Sequence, residues 1–273
     1  MLPGGIHMNI YKEVHQVEQA KGTVVIIHGA GEYFGRYQWL AQKLNESGYN
    51  VIGGDLPGLG RSYGKKGHID GFNDYYKIVD EWVKEALQFH IPVFLFGHSM
   101  GGLIVIQYMD NYRNESIDGV IVTSPCLGLV RKVSPFLEGI VGIFDRFHPS
   151  FSLPSGILPE YVSKDPVIVH EYGTDPLIIK KVSVRWYLEL KRAMESSMKD
   201  SSKYPQIPTL VMQAGKDKIV DQEKTRKWVE GLFISQLHYI EWPELYHELF
   251  NEPEKEKVYL KMVDWMKKIE IPG

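Results

Sequence analysis

The sequence predicts an α/β protein built on a mostly parallel, doubly wound sheet, with a mainly helical segment inserted into it. Short apolar, β-branched runs alternate with amphipathic stretches of helical period up to residue 124, and the alternation resumes at residue 207. Between them, residues 125–205 contain prolines and short helical patches but no strand alternation. At the end of one apolar run stands Gly97-His98-Ser99-Met100-Gly101, followed at once by an apolar stretch that can continue as a helix. Strands alternating with helices make a parallel sheet covered on both faces, with right-handed crossovers and function at the carboxyl ends of the strands. The expected organisation is therefore a core of residues 8–124 and 206–273 and a lid of residues 125–205.

Each core element has its own signal. Residues 23–28, Thr-Val-Val-Ile-Ile-His, read as a buried strand ending at glycine. Residues 37–47 read as a helix stopped by Gly48, and residues 50–54 as the next strand. A long amphipathic helix over 72–88 precedes the strand at 93–96. Residues 119–123 form another β-branched strand. After the insertion come a strand at 209–213, a helix at 221–231, a strand at 236–241 and a closing helix at 254–269.

Composition narrows the function classes. The chain has 273 residues, 44% of them hydrophobic, which suits one large domain or one domain with an inserted subdomain. A formal net charge of -3 gives no electrostatic case for nucleic-acid binding. Cys126 is the single cysteine, so neither an intramolecular disulfide nor a cysteine-based zinc site can form. No apolar run approaches the length of a membrane span. The first residues lack the charged region, apolar core and cleavage site of a secretory signal; Gly4-Gly5-Ile6-His7-Met8 resembles a cloning remnant, with Met8 the expected start. A cytoplasmic location is expected.

The serine motif has a mechanical reason. A strand turning sharply into a helix strains the serine backbone, and glycines on either side let strand and helix approach. The hydroxyl then stands at a helix N-terminus, where a developing anion is favoured. The competing reading is a chance pentapeptide in a chain with 26 glycines. A serine needs a general base, and a carboxylate to orient it. Of ten histidines, His247 lies in the short loop between the last strand and the last helix, where this fold delivers a base. His28 and His98 sit beside glycine turns and read as structural. The acid should follow a strand between serine and histidine. Asp217 does so; its rival Asp221 reads as the N-cap of the following helix. A tetrahedral intermediate needs two donors, expected to be the backbone N–H groups of Met100 and of Ala30, which follows the Gly29 turn. No phosphate-binding glycine fingerprint occurs in that loop. With nucleophile and base supplied and no clustered ligands, neither a metal nor a cofactor is expected.

The motifs His28-Gly29-Ala30-Gly31-Glu32-Tyr33-Phe34-Gly35-Arg36-Tyr37, Asp55-Leu56-Pro57-Gly58-Leu59-Gly60-Arg61-Ser62 and Gly97-His98-Ser99-Met100-Gly101-Gly102 carry a resemblance, supported by Ser124-Pro125 and Tyr246-His247-Glu248. The chain resembles an α/β-hydrolase of the monoglyceride lipase and lysophospholipase group, nearest its bacterial lysophospholipase-like members. The resemblance covers nearly the whole chain and is weakest in the lid. It implies the same roles for Ser99, Asp217, His247, Ala30 and Met100, and implies that Glu32 and Arg36 brace the oxyanion loop. It implies a small lipid ester as substrate, monoacylglycerol or lysophospholipid.

In the lid, Phe136, Leu137, Ile140, Val141, Phe144 and Phe147 recur at three- and four-residue spacings, one apolar face of a helix. That face either packs on the core or forms an acyl-chain wall or a membrane-facing patch. Phe136, Ile140, Phe144 and Cys126, which begins the insertion, are the expected pocket residues. Peripheral membrane contact through the lid is expected with the second reading. The same core serves esterases and thioesterases of small substrates, amidases of the aminopeptidase kind, and binding proteins that have lost a triad member; here none is missing.

Overall fold

A computed structural model describes residues 9–112, 116–199 and 201–269. β1 (Lys12–His15) and β2 (Gly22–Ile27) lead into α1 (Gln38–Glu46) and β3 (Tyr49–Gly54). α2 (Asn73–Leu87), β4 (Val93–His98), α3 (Met100–Tyr112) and β5 (Gly119–Thr123) follow. The inserted segment holds α4 (Pro135–Phe147), β6 (Ser152–Pro154), α5 (Pro159–Val162), α6 (Pro166–Thr174), β7 (Lys181–Ser183) and α7 (Val184–Lys199). β8 (Thr209–Ala214), α8 (Gln222–Glu230), β9 (Leu237–Trp242) and α9 (Lys255–Ile269) complete the chain.

The seven-stranded sheet has the order β1-β3-β2-β4-β5-β8-β9. Every neighbouring pair is parallel except β1 with β3. The strands β2, β3, β4, β5 and β8 are buried along their whole length, as continuous apolar runs must be when both faces are covered. Alternate side chains supply two cores. Val25, Ile27, Leu95 and Val211 face α2, α3 and Trp228 of α8. Val24, Ile26, Phe94, Phe96 and Met212 face α1 and α9.

Helix boundaries follow local chemistry. Gly48 takes a φ of +88° just past α1, a conformation glycine adopts without a Cβ clash. Asp221 caps α8 by accepting from the Glu223 N–H at 3.1 Å. Two features depart from the sequence reading. β1 is an unexpected antiparallel edge strand, short and partly exposed, with the polar sequence Lys-Glu-Val-His. The insertion, read as strand-free, contains the antiparallel pair β6–β7. Strands of three residues are too short to display an alternation.

The insertion leaves the carboxyl end of β5 and returns to its neighbour β8. Its last helix, α7, buries Trp186, Leu190, Ala193 and Met194 in the core beside α2 and α3. Gln107 of α3 donates to Ser197 at 2.6 Å, and Trp186 to the Tyr75 hydroxyl of α2 at 3.0 Å. α4 is different. Of its described apolar side chains only Val141 is buried, while Ile143 is 66% and Phe147 71% exposed. Among the described residues, no helix is long and apolar enough to cross a membrane.

Candidate active site

The turn from β4 into α3 is built for close approach. A Cβ on Gly97 would lie 2.4 Å from the Gly101 carbonyl oxygen, and one on Gly101 would lie 2.2 Å from that of Ile27. Between them Ser99 has a φ of +54°, a left-handed conformation that is strained for any residue with a Cβ. Its N–H donates to the Thr123 carbonyl at 2.9 Å. Its own carbonyl accepts from Leu103 at 3.1 Å and Cys126 at 2.9 Å. Replacing Gly101 by alanine should therefore lower stability by about 3 kcal/mol or more, since the obstructing atoms are backbone. Denaturant unfolding measures this, and an unchanged midpoint would contradict the packing described.

The turn aims the Ser99 hydroxyl at His247, whose Nε2 is 2.9 Å from Oγ. His247 Nδ1 is 2.7 Å from Asp217 Oδ2. The other Asp217 oxygen accepts from the N–H groups of Ile219 at 2.8 Å and Val220 at 2.9 Å, so the turn after β8 fixes the carboxylate. All three side chains are buried. Burial works against a charged imidazole. The Asp217 carboxylate on Nδ1, with Glu248 and Glu32 behind it, nevertheless holds the His247 pKa above its usual value. With Nδ1–H held by Asp217, Nε2 is the acceptor facing the serine. The His98 ring lies against that of His247, tilted by 55° with the centroids 4.7 Å apart. Burial pushes its pKa well down, and His247 adds to that.

The loop after β2 meets this row. His28, fully buried, donates from Nδ1 to the Gly29 carbonyl at 2.8 Å and accepts from the Leu56 N–H at Nε2, 2.9 Å. The Gly29 N–H donates to Glu32 Oε1 at 2.5 Å, and the Tyr37 hydroxyl donates to the same oxygen at 2.6 Å. Burial, then the charge of Glu248, raises the Glu32 pKa to about 7. Met100 begins α3, so its N–H is one of the helix donors without an intrahelical acceptor. Ala30, Ser99 and His247 line a cleft together with Ile157, Val162 and Tyr172 of the insertion.

Other expected pocket residues are placed elsewhere. Cys126 is buried in the main core with Sγ 3.8 Å from Met194 Sδ, and burial pushes its thiol up to about 12. Ile140 and Phe144 are about two-fifths exposed on α4 and do not line the cleft. The Phe136 side chain lies outside the described residues. The residues from the insertion that do line it went unnoticed in the sequence. Tyr172 lies on α6, a helix with little amphipathic signal, and Ile157 and Val162 lie beside or within a four-residue helix. Glu248 adjoins His247 but shows its partners only in three dimensions.

A model of the family described as serine aminopeptidase, S33, matches residues 18–254. The chain belongs to this family. It is 43% identical over 244 residues to phospholipase YtpA of Bacillus subtilis, covering 89% of this chain and 94% of that one. It is 29% identical over 248 residues to a monoacylglycerol lipase of Mycolicibacterium smegmatis, covering 90% and 88%. Among solved structures, the monoacylglycerol lipase of Paleococcus ferrophilus aligns with a TM-score of 0.87 and 32% identity, covering 96% of this chain and all of that one. The chain is thus an α/β-hydrolase, and these three relatives are named as a phospholipase and two monoacylglycerol lipases despite the peptidase in the family's description.

Proposed function

We propose that the protein hydrolyses carboxylic esters of single-chain lipids, monoacylglycerol or lysophospholipid, through an acyl-enzyme on Ser99. The observation that carries this reading is the unbroken row from Ser99 Oγ through His247 to Asp217. His247 Nε2 takes the Ser99 proton as Oγ attacks the ester carbonyl. The oxyanion forms against the N–H groups of Ala30 and Met100. The imidazolium then gives its proton to the departing alcohol, and water repeats the sequence on the acyl-enzyme. Since the free imidazole is the base, the rate rises with pH through a His247 pKa that lies above the ordinary histidine value.

The substrate class rests on the names of the relatives and on the apolar wall of Ile157, Val162 and Ile219 beside the serine. The test is a hydrolysis profile over monoacylglycerols and lysophospholipids of several chain lengths, short esters, thioesters and aminoacyl amides. Single-chain lipid esters should be preferred. A preference for short esters or amides would move the assignment to a small-substrate esterase or a peptidase.

Residues 125–205 act as the lid in this reading, and α4 is its membrane-facing part. Ile143, Phe144 and Phe147 are exposed on one helix, and Phe144 meets the exposed Phe151 with ring centroids 5.3 Å apart. A contiguous exposed apolar patch of this kind suits an interfacial contact. Phe144→Asp and Phe147→Asp should each weaken vesicle binding about tenfold or more, from roughly 1.5–3 kcal/mol per buried side chain. Hydrolysis of vesicle-borne long-chain esters should fall in parallel, and that of a soluble short ester should not. Equal loss on both substrates would point to a packing role instead.

A further inference from the structure

Arg36 is nearly enclosed, its side chain 6% exposed, and it meets three separate parts of the chain. Its Nη2 donates to Glu248, the residue after His247. Its Nε lies 3.3 Å from Glu32 Oε2, in the loop after β2. The Tyr172 ring of α6 lies against its guanidinium, 5.0 Å from carbon to centroid. Each of these neighbours is fixed in turn. Glu32 accepts from Gly29, the residue before Ala30. The Glu248 N–H donates to the Val162 carbonyl of α5 at 2.8 Å, and Asn251 donates to the Glu248 carboxylate at 2.9 Å. Glu32, Glu248, Val162 and Tyr172 line the same cleft as Ser99 and His247.

We propose that Glu248 is a positioning residue for the reaction. Through Arg36 its carboxylate fastens the histidine loop to the loop that carries Ala30, while its backbone N–H on Val162 and the Tyr172 ring on Arg36 fasten both to the inserted segment. This rests on the reading of Ser99, His247 and Asp217 as the triad and of Ala30 as an oxyanion donor. A buried ion cluster is weak ground for stability, because desolvation offsets its attraction. Its geometry is what it contributes: the planar guanidinium donates to Glu248 in a fixed direction and holds Glu32 beside it as an ion pair. Three connections are thereby held in one arrangement, and displacements on the order of 1 Å are enough to cost catalysis.

The cluster also sets the charge around the base. His247 is faced by Asp217 from the turn after β8, by His98 from the serine turn, by Glu32 and Arg36 from the loop after β2, and by Glu248 from its own loop. Two glutamates share one guanidinium, and both favour the imidazolium. Removing the Glu248 charge lowers the His247 pKa. Glu32 ionises more readily in response, because Glu248 no longer opposes it; this reduces the shift without reversing it.

The test uses a soluble short ester, with rates counted per site titrated by an active-site phosphonate, so that misfolded protein drops out. Glu248→Gln should lower kcat about ten- to a hundredfold with little change in KM, and move the acid limb of kcat/KM to lower pH. Arg36→Lys keeps the charge but not the planar fork, so kcat should fall comparably without that downward movement of the acid limb. The double variant should be hardly worse than either single one, since both break the same clasp. Wild-type kcat and an unmoved acid limb in Glu248→Gln, or losses that simply multiply, would overturn the proposal. A folded Ser99→Ala, which the phosphonate cannot label and whose rate is therefore counted per total protein, would instead sink the triad reading beneath it by keeping a tenth or more of the wild-type rate. An inactive Ser99→Ala beside a normal Glu248→Gln would remove this proposal alone.

Discussion

Ser99→Ala is expected to be folded and about a millionfold slower on its best ester, the loss typical of removing a nucleophile that works with its base as a unit. The fold should survive because alanine keeps every backbone contact of the serine. The N–H still reaches Thr123, and the carbonyl still holds Leu103 and Cys126. The left-handed φ is no worse for alanine than for serine, since each carries one Cβ. What disappears is one hydroxyl and its bond to His247 Nε2, a change of roughly 1 kcal/mol in stability. The melting midpoint should therefore lie within a few degrees of wild type while turnover drops to background. A folded Ser99→Ala enzyme keeping a tenth of the wild-type rate would overturn the assignment.

How far the sequence led depends on how local each signal is. The five central strands were readable because burial on both faces makes the run itself apolar. The Ser99 turn was readable because its glycines answer to atoms within a few residues or on the next strand. Choosing Asp217 needed only chain order and the recognition that Asp221 caps α8, which it does. The cleft was harder. Ile157, Val162 and Tyr172 reach Ser99 through the path of the insertion, which no periodicity encodes. The same holds for Cys126, which adjoins the cleft in sequence but turns its thiol into the core. The Arg36–Glu248 pair joins residues 212 positions apart; the motif that singles out Arg36 does not name its partner, and nothing local marks the Glu248 side chain as that partner.

Asp217→Asn should leave a folded enzyme slowed by roughly ten-thousandfold, whereas Asp221→Asn should change the rate hardly at all. The first effect is one of hydrogen-bond direction. Asp217 Oδ1 accepts from the Ile219 and Val220 N–H groups, and the asparagine carbonyl takes over both bonds. That assigns the amide NH₂ to the other position, where it faces His247 Nδ1 in place of the carboxylate oxygen. A donor there stabilises the tautomer with its proton on Nε2, which then points at Ser99 Oγ and cannot accept the serine proton. Loss of the carboxylate also removes the chief charge that raises the His247 pKa, so the residual activity should show an acid limb at lower pH. Asp221, by contrast, serves α8 through its bond from the Glu223 N–H, and asparagine caps helices about as well. Comparing kcat/KM and melting midpoints of the two variants decides the matter. An inactive, folded Asp221→Asn beside an active Asp217→Asn would mean that the acid has been assigned to the wrong residue.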